Sequence, residues 1–288
     1  VHLDRPRAER AMREQKGPLA TVDDFAAGIL RVVETQMEKA IRVISIERGH
    51  DPRQFTLVAF GGGGPLHACS LARALRIPTV LVPAMPGALS AVGILLADTV
   101  RDFSRTVMLG AEGIDRLESV FFDLELQAQE EFSSEGLDGI AYRSLDLRYR
   151  RQGYELHVPF DMHSPKHSIE AFHQLHQQRY GFCDRRKPLE IVNLRLRMAA
   201  AAEPYSPQFR PLVPGEATSA FYAERNIFFA GDPVPSRLYR RDKLVPGDLM
   251  PGPAMITEYT SATVLLPGCS AQVDGYGNLI ISIPEETA

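Results

Sequence analysis

Apolar residues in the first part of the chain recur at spacings that predict a long amphipathic helix over 21–48. Spacings of three and four residues place the apolar side chains on one face, over about six turns. Thr21 can cap this helix, with Asp24 three residues later, and Gly49 can end it in the left-handed conformation. We expect the apolar face to lie across a sheet or another helix, which makes this a structural element.

The next pattern is an apolar run at 55–60 that leads into four consecutive glycines and a helical pattern over 65–76. Pro65 suits the first position of that helix, because its missing N–H and fixed φ do no harm there. A second apolar run follows at 79–83, and two strands joined by a helix form a parallel βαβ unit with a right-handed crossover. The turn at 86–87 either faces a ligand or packs against the glycines.

Four glycines in a row are more than a connector needs, because each costs about 0.5–1 kcal/mol of backbone entropy relative to alanine. We therefore expect a ligand or another chain segment to approach this backbone closely. Unpaired N–H groups and the macrodipole at the start of the following helix favour a nucleotide or another anion. The alternative is a tight strand-to-helix turn packed against its own sheet. The residues of this glycine turn are Gly61, Gly62, Gly63 and Gly64.

Two familiar nucleotide-binding motifs do not fit the glycine turn. No Gly-Lys-Ser/Thr follows it, as a P-loop requires, and Pro65 interrupts the spacing of a dinucleotide fingerprint. His67, in the first turn of the following helix, is a candidate catalytic residue that would contact a bound nucleotide or a substrate carbonyl. The alternative for His67 is packing beside the turn. The pattern offers no other candidate for catalysis.

Four histidines between 163 and 176 have spacings that a metal site can use. Ile169, Phe172 and Leu175 already define a buried stripe on the same helix, so we interpret the histidines as structural and predict no metal site. The three cysteines lie far apart and form no CxxC pair, which favours free thiols in a reducing compartment, the cytoplasm. They are Cys69, Cys183 and Cys269.

The hydrophobic period changes in the second half of the chain. The patterns predict, in order, a helix at 112–136, strands at 144–150 and 154–160, a helix at 167–180 and a strand at 190–198. This order describes a small α+β unit on an antiparallel sheet. From about 201, a proline-rich stretch and short strand candidates at regular intervals predict a compact all-β element, a barrel or sandwich.

The chain of 288 residues has room for two or three domains. A net charge of −4 argues against a broad basic surface for nucleic acid or an anionic membrane. No apolar run approaches the roughly 20 residues of a transmembrane helix, and no signal peptide opens the sequence. Because the first residue is Val1 rather than Met, we expect a fragment of a longer protein.

Three neighbouring segments, 51–67, 77–83 and 86–98, together resemble the hydantoinase A/oxoprolinase family. That family includes N-methylhydantoinase large subunits, 5-oxoprolinase and subunits of acetone and acetophenone carboxylases. The likeness continues through 190–197 and reaches the end at 274–280, so it covers nearly the whole chain.

This resemblance implies an actin-like ATPase fold in which the glycine turn binds adenosine. It implies ATP and Mg²⁺ as cofactors, a small cyclic amide such as a hydantoin or 5-oxoproline as substrate, and a hydantoinase B-type partner subunit or domain. An ATP-dependent ketone carboxylase subunit and a non-catalytic docking module are the alternatives. The Asp-x-Gly-Gly-Thr phosphate loop of the family does not occur here, so we expect the metal ligands to lie outside this sequence and the fragment alone to be inactive.

The predicted fold class is α/β, a partial actin-like ATPase domain, followed by an α+β unit and a C-terminal β-rich barrel or sandwich. The predicted boundaries are 1–20 for an arm or linker, 21–110 for the C-terminal part of the nucleotide-binding domain, 111–200 for the α+β unit and 201–288 for the β-rich domain.

Overall fold

The protein is described by a computed structural model, which gives the placement of residues 4–18 and 21–284. The helices are α1 Arg5–Gln15, α2 Val22–Ile44, α3 Gly64–Leu75, α4 Leu89–Leu95, α5 Leu117–Ser134 and α6 Pro165–Tyr180. The strands are β1 Thr56–Val58, β2 Thr79–Val82, β3 Thr99–Gly110, β4 Ile140–Tyr149, β5 Leu156–Pro159, β6 Leu189–Ala200, β7 Phe221–Phe229, β8 Asp232–Arg240, β9 Leu249–Pro251, β10 Ala254–Thr257, β11 Ala262–Leu265, β12 Ser270–Val273 and β13 Leu279–Ser282. None of the helices described is long and apolar enough to cross a membrane.

Contacts within the chain divide it into two compact units. Unit 1 joins Val1–Ile94 with Ser206–Ala288, and unit 2 is Leu95–Tyr205. The prediction from the sequence was different, since it placed 21–110 and 201–288 in separate domains. The two segments fall in one unit because strands from both build the same sheet.

The predicted arm at 1–20 contains a helix, α1, which Asp4 caps by accepting a hydrogen bond from the Arg7 N–H at 3.0 Å. Residues 1–3 and 19–20 of that segment lie outside the described part. The cap predicted for α2 is confirmed: the Asp24 N–H donates to Thr21 Oγ1 and the Thr21 N–H donates to Asp24 Oδ2, both at 3.0 Å. This reciprocal pair satisfies two donors that the helix start leaves open.

Helix α2 packs less closely than its apolar stripe predicts. It contacts α1 and α3, yet none of its residues is buried. Ile29, Val33 and Ile44 remain 42%, 40% and 61% exposed. The stripe runs along 23 residues, which is longer than the elements that touch it.

The sheet of unit 1 has five strands in the order β1-β2-β13-β12-β9. The pairing of β1 with β2 is parallel, with Thr56 opposite Thr79, so the predicted βαβ unit is confirmed. The other edge of β2 pairs antiparallel with β13. Buried side chains of α3, the sheet and the C-terminal strands form one hydrophobic core, which includes Ala68, Ala72, Val80 and Ile281.

The C-terminal strands do not form one barrel or sandwich of their own. Strands β9, β12 and β13 belong to the five-stranded sheet, whereas β7, β8, β10 and β11 form a second sheet in the order β11-β10-β8-β7. Strand β10 pairs parallel with β8 and antiparallel with β11. The sequence predicts these strands well, but it contains no local signal for the sheet that each one joins.

Unit 2 is the predicted α+β unit, extended by one strand. Its antiparallel sheet has the order β3-β6-β4-β5, so β3 is an edge strand. Helices α5 and α6 supply Phe121, Phe132 and Phe172 to a core with Leu145 and Leu194 from the sheet. The unit begins at 95 rather than 111, because β3 pairs along most of its length with β6.

Candidate functional site

The glycine turn lies at the carboxyl ends of parallel strands. After β1, the Ala59 N–H still donates to the Leu81 carbonyl at 2.9 Å, and the chain then leaves the sheet. The turn Pro86–Ala88 follows β2 in the same way. In open α/β sheets, ligands bind outside the carboxyl ends of the strands. The two turns therefore occupy the position where a ligand is expected.

Three loops of unit 1 meet at the glycine turn. Gly61 has a φ of +84°, which favours glycine, and its N–H donates to the Pro86 carbonyl at 2.7 Å. The hydroxyl of Ser261 lies 3.3 Å from the Gly61 carbonyl oxygen and 3.1 Å from that of Gly62, and it donates to these acceptors. Ser261 belongs to the hairpin loop 258–261 between β10 and β11. Packing against these loops explains the first half of the turn.

Packing does not explain the second half. A Cβ at Gly63 would meet no heavy atom within 4 Å, and at Gly64 the nearest would be Ala59 C at 3.9 Å. Among the described residues, no acceptor faces the backbone N–H of Gly62 or Gly63. Helix α3 begins at Gly64 without a side-chain cap. These open donors at a helix start suit a nucleotide or another anion.

His67 lies one turn into α3 and is held by a partner on another helix. Its Nδ1 lies 3.1 Å from Glu34 Oε1 of α2, and its side chain is 13% exposed. This contact joins α3 to α2, and it agrees with the alternative that His67 packs beside the turn. A role for His67 in chemistry stays a prediction.

Arg241 is a partly buried cation that contacts the chain directly after β2, before the turn at Pro86, and the sequence did not indicate it. Its Nη2 donates to the Gly277 carbonyl at 2.6 Å and to the Pro83 carbonyl at 3.3 Å. Burial lowers the pKa of Arg241 to about 10, and the charges of Glu258 and Asp274 oppose that shift. Arg241 lies in a short charged stretch that is typical of a solvated loop, so no signal in the sequence distinguishes it.

Two histidines of helix α6 lie in the core of unit 2. His173 and His176 are buried: the first pairs through Nδ1 with the Tyr149 hydroxyl at 3.1 Å, and the second donates from Nδ1 to the Phe182 carbonyl at 2.7 Å. Burial lowers the pKa of His173. Within the residues the structure describes, no group of three or more His, Cys, Asp or Glu side chains is placed to hold a metal ion.

Two of the three free cysteines face each other in the core of unit 1. Cys69 and Cys269 are both buried. A hydrogen bond from the Cys69 thiol lowers the pKa of Cys269 to about 6, and Arg73, whose Nη2 lies 3.6 Å from Cys269 Sγ, acts in the same direction. The same pairing raises the pKa of Cys69. Cys69 is thus a small core residue with a polar partner.

Comparison with known proteins agrees with the resemblance in the sequence. The model of hydantoinase/oxoprolinase matches residues 1–103, and the model of the hydantoinase/oxoprolinase C-terminal domain matches residues 110–281. Caprolactamase subunit alpha from Pseudomonas jessenii is 31% identical over 299 residues, which cover 95% of this chain and 42% of that protein. 5-Oxoprolinase 1 from Arabidopsis thaliana is 27% identical over 288 residues, 96% of this chain and 22% of that protein.

Solved structures show the same fold. The crystal structure of ATP-dependent caprolactamase from Pseudomonas jessenii has a TM-score of 0.66 at 26% identity and covers 98% of this chain and 43% of that chain. A nucleotide-free structure of acetone carboxylase has a TM-score of 0.85 at 20% identity and covers 99% of this chain and 43% of that chain.

This chain thus spans about two fifths of the length of the caprolactamase subunit. None of these matches tests the actin-like architecture, which stays a prediction. The C-terminal match alone includes more than half of the residues, and the two matches together extend from 1 to 281 with a short gap. The chain belongs to the hydantoinase/oxoprolinase family.

Proposed function

We propose that unit 1 contributes the adenosine side of the ATP site in an enzyme that opens a small cyclic amide. The observation that carries the proposal is the open pair of N–H donors at Gly62 and Gly63, beside a helix start and at the carboxyl ends of parallel strands. A caprolactamase of the same family is described as ATP-dependent, and its substrate class, a lactam, is a cyclic amide. Hydantoin and 5-oxoproline belong to the same class.

The residues of unit 1 would bind and orient the nucleotide rather than react. When bound, ATP would supply the phosphoryl group that activates a poorly electrophilic amide oxygen. The backbone N–H groups of Gly62 and Gly63 would donate to the nucleotide. The turn itself is held by Ser261, which donates to the carbonyls of Gly61 and Gly62, and by the Pro86 carbonyl, which accepts from the Gly61 N–H. The described residues offer no cluster of carboxylates for Mg²⁺, so its ligands would come from another part of the longer protein.

The complete enzyme extends beyond these residues. The family members that match are about twice as long or longer, and one of them is named as a subunit. We therefore propose that the active protein is a longer subunit with a hydantoinase B-type partner subunit or domain, and that this chain alone does not turn over substrate. Its location in the cytoplasm, expected from the cysteines, stays a prediction.

A ketone carboxylase subunit is the second candidate within the family. The observation that favours it is the fold similarity to acetone carboxylase, whose TM-score of 0.85 exceeds the 0.66 of caprolactamase. The higher identity to the caprolactamase subunit favours the cyclic amide. An assay of the full-length subunit and its partner against lactams, hydantoins, 5-oxoproline and ketones decides between the two.

Gly63→Val in the full-length subunit is expected to weaken binding of ADP or an ATP analogue about tenfold or more, measured by isothermal titration calorimetry. A Cβ at this position meets no heavy atom of a non-neighbouring described residue within 4 Å, and the φ of −104° is open to any residue, so the turn has room for the side chain and a nucleotide bound there would meet it. The melting temperature is expected to stay unchanged.

The matched control for Gly63→Val is Gly113→Val in unit 2. A Cβ at Gly113 also meets nothing within 4 Å, but this glycine belongs to the other unit. We expect the control to bind nucleotide like the unmodified protein. Equal affinity in all three proteins would remove the glycine turn from the nucleotide site.

A further inference from the structure

The sheet of unit 2 has one apolar face and one polar face. The apolar face carries leucines such as Leu145 and Leu194, which pack with α5 and α6. The polar face carries side chains that stand opposite one another in register across the strands. One such row is Thr106, Asn193, Asp146 and His157, and the next rows contain Arg195 with Ser144 and Arg197 with Tyr142.

Asp146 is the buried centre of the first row. Its side chain is 3% exposed, although it lies on the polar face. Oδ1 lies 3.1 Å from His157 Nδ1, and Oδ2 accepts hydrogen bonds from Arg195 Nε at 2.6 Å and Asn193 Nδ2 at 2.9 Å. Burial by itself raises the pKa of Asp146, but these hydrogen bonds and the charge of Arg195 outweigh it and hold the pKa below its ordinary value. The carboxylate therefore stays charged and orients both Arg195 and His157.

His157 and Arg195 keep hydrogen-bonding groups that the protein does not use. His157 meets Asp146 through Nδ1, and its side chain is 58% exposed, so Nε2 is the nitrogen left for another partner. Arg195 uses Nε on Asp146, and no described residue accepts a hydrogen bond from its two terminal nitrogens. Its side chain is 48% exposed. A planar guanidinium with a free edge is suited to a carboxylate, which it can bind through two parallel hydrogen bonds.

The neighbouring arginines are already paired: Arg143 binds Glu125 of α5 and Arg197 binds Asp102, whereas Arg195 keeps terminal nitrogens that no described residue accepts from. Arg195, Arg197 and Arg143 line a concavity of about 1020 Å³ together with two acidic side chains, Asp102 and Asp146. Asp102 holds Arg197 in place with hydrogen bonds of 2.8 and 2.9 Å. Volumes of about 300–1000 Å³ are usual for small-molecule sites, so the concavity has room for a small ligand.

A solvated strand face with cross-strand ion pairs is the alternative, and such pairs are common and weak. Two features distinguish the polar face of unit 2 from an ordinary solvated strand face. The central carboxylate is buried beneath the groups that it orients, and the strand register shifts between Thr106 and Leu109 on β3 and between Asp146 and Leu147 on β4. Such bulges re-aim side chains and are over-represented beside functional sites.

We propose that this polar face binds a small molecule with a carboxylate group, which pairs with the terminal nitrogens of Arg195 beside His157 Nε2. The face lacks the exposed backbone N–H groups of a helix start that phosphate sites commonly use. The Tyr142 hydroxyl, in a neighbouring row, remains for the polar remainder of the ligand, and Ser144 Oγ, which donates to the Arg195 carbonyl at 3.5 Å, can still accept a hydrogen bond. Carboxylate binding at this face is independent of nucleotide binding by unit 1.

The test is a titration of the full-length subunit with acetate, glutamate, 6-aminohexanoate and inorganic phosphate, followed by ligand-observed NMR. We expect at least one carboxylate to bind in the millimolar range or tighter, and Arg195→Gln to weaken it at least fivefold. Arg195→Lys, which keeps the charge beside Asp146 but lacks the planar fork, is expected to weaken binding by a similar factor without a change in melting temperature.

The matched control is Arg105→Gln. Arg105 lies on the same sheet but pairs with Asp123 of α5 at 3.5 Å, on the side that the helices cover, so we expect unchanged carboxylate affinity. The proposal is overturned if no carboxylate binds, if Arg195→Lys and Arg105→Gln bind equally well, or if phosphate binds and carboxylates do not.

Discussion

Replacing Gly87 with valine is expected to cost unit 1 about 1–3 kcal/mol of unfolding free energy, as overpacking does, and to weaken nucleotide binding. A Cβ on Gly87 would lie 2.7 Å from the Thr260 carbonyl oxygen and closer still to the Thr260 side chain. The side chain can rotate, but the backbone oxygen can move only with the hairpin loop 258–261. That loop also carries Ser261, which holds the carbonyls of Gly61 and Gly62.

The consequence for the glycine turn is indirect. If the hairpin loop shifts, the hydroxyl of Ser261 leaves its two acceptors and the turn loses one of its two supports. We expect the affinity for ADP to fall about tenfold, which corresponds to about 1.4 kcal/mol. Thermal unfolding and calorimetric titration of the full-length subunit measure the two effects separately.

The control is Gly93→Val in α4, a short distance along the chain. A Cβ at Gly93 meets no heavy atom within 4 Å, so the variant adds the same side chain without the contact to Thr260. Equal melting temperatures and equal affinities for the two variants would show that the hairpin loop does not support the glycine turn.

Asp146→Ala is expected to destabilise unit 2 by about 2–3 kcal/mol, because it leaves three donors without their acceptor. Asn193, His157 and Arg195 all point to the buried carboxylate. The cost stays below that of a fully buried ion pair, since the Arg195 side chain is 48% exposed and water can replace part of the interaction. Chemical denaturation of the full-length subunit, followed by a probe in unit 2, measures the loss.

The same carboxylate gives unit 2 a dependence on pH with a defined sign. The pKa of Asp146 is lower in the folded protein than its ordinary value near 3.8. Its contribution is therefore fully present above the unfolded pKa and is lost as the pH falls through the folded pKa. We expect the stability of unit 2 to decline below about pH 4, and Asp146→Asn to flatten that part of the profile. An unchanged profile in Asp146→Asn would assign the decline to other carboxylates.

The sequence predicted the glycine turn of the candidate nucleotide site but not the distant residues beside it. The four glycines stand out in any reading of the chain, and the structure places them at a helix start, as expected. Ser261 and Arg241 lie about two hundred residues away, in segments whose composition is that of ordinary loops. Nothing local distinguishes them, because their contacts depend on distant strands: β10 leads into the loop that carries Ser261, and β8 ends directly before Arg241, which reaches Pro83 and Gly277.

The polar face of unit 2 was missed for a related reason. Alternation along 144–150 and 190–198 predicts two strands with one polar face each, and the structure confirms both strands. Most polar strand faces are solvated, and alternation alone does not distinguish this one from them. Burial of Asp146 depends on its neighbours Asn193 and His157, which come from two other strands.

The sequence by itself determined the local elements: the capping box of Thr21 and Asp24, the βαβ unit around the glycine turn, and the alternating strands of unit 2. Only the tertiary structure decided that β13 pairs with β2, that the C-terminal strands divide between two sheets, and that the stripe of α2 stays exposed. The physical reason is the distance along the chain over which each interaction acts. Caps and periodicity act over a few residues, whereas strand partners and burial depend on contacts between segments far apart in the chain, and the same local pattern suits several partners.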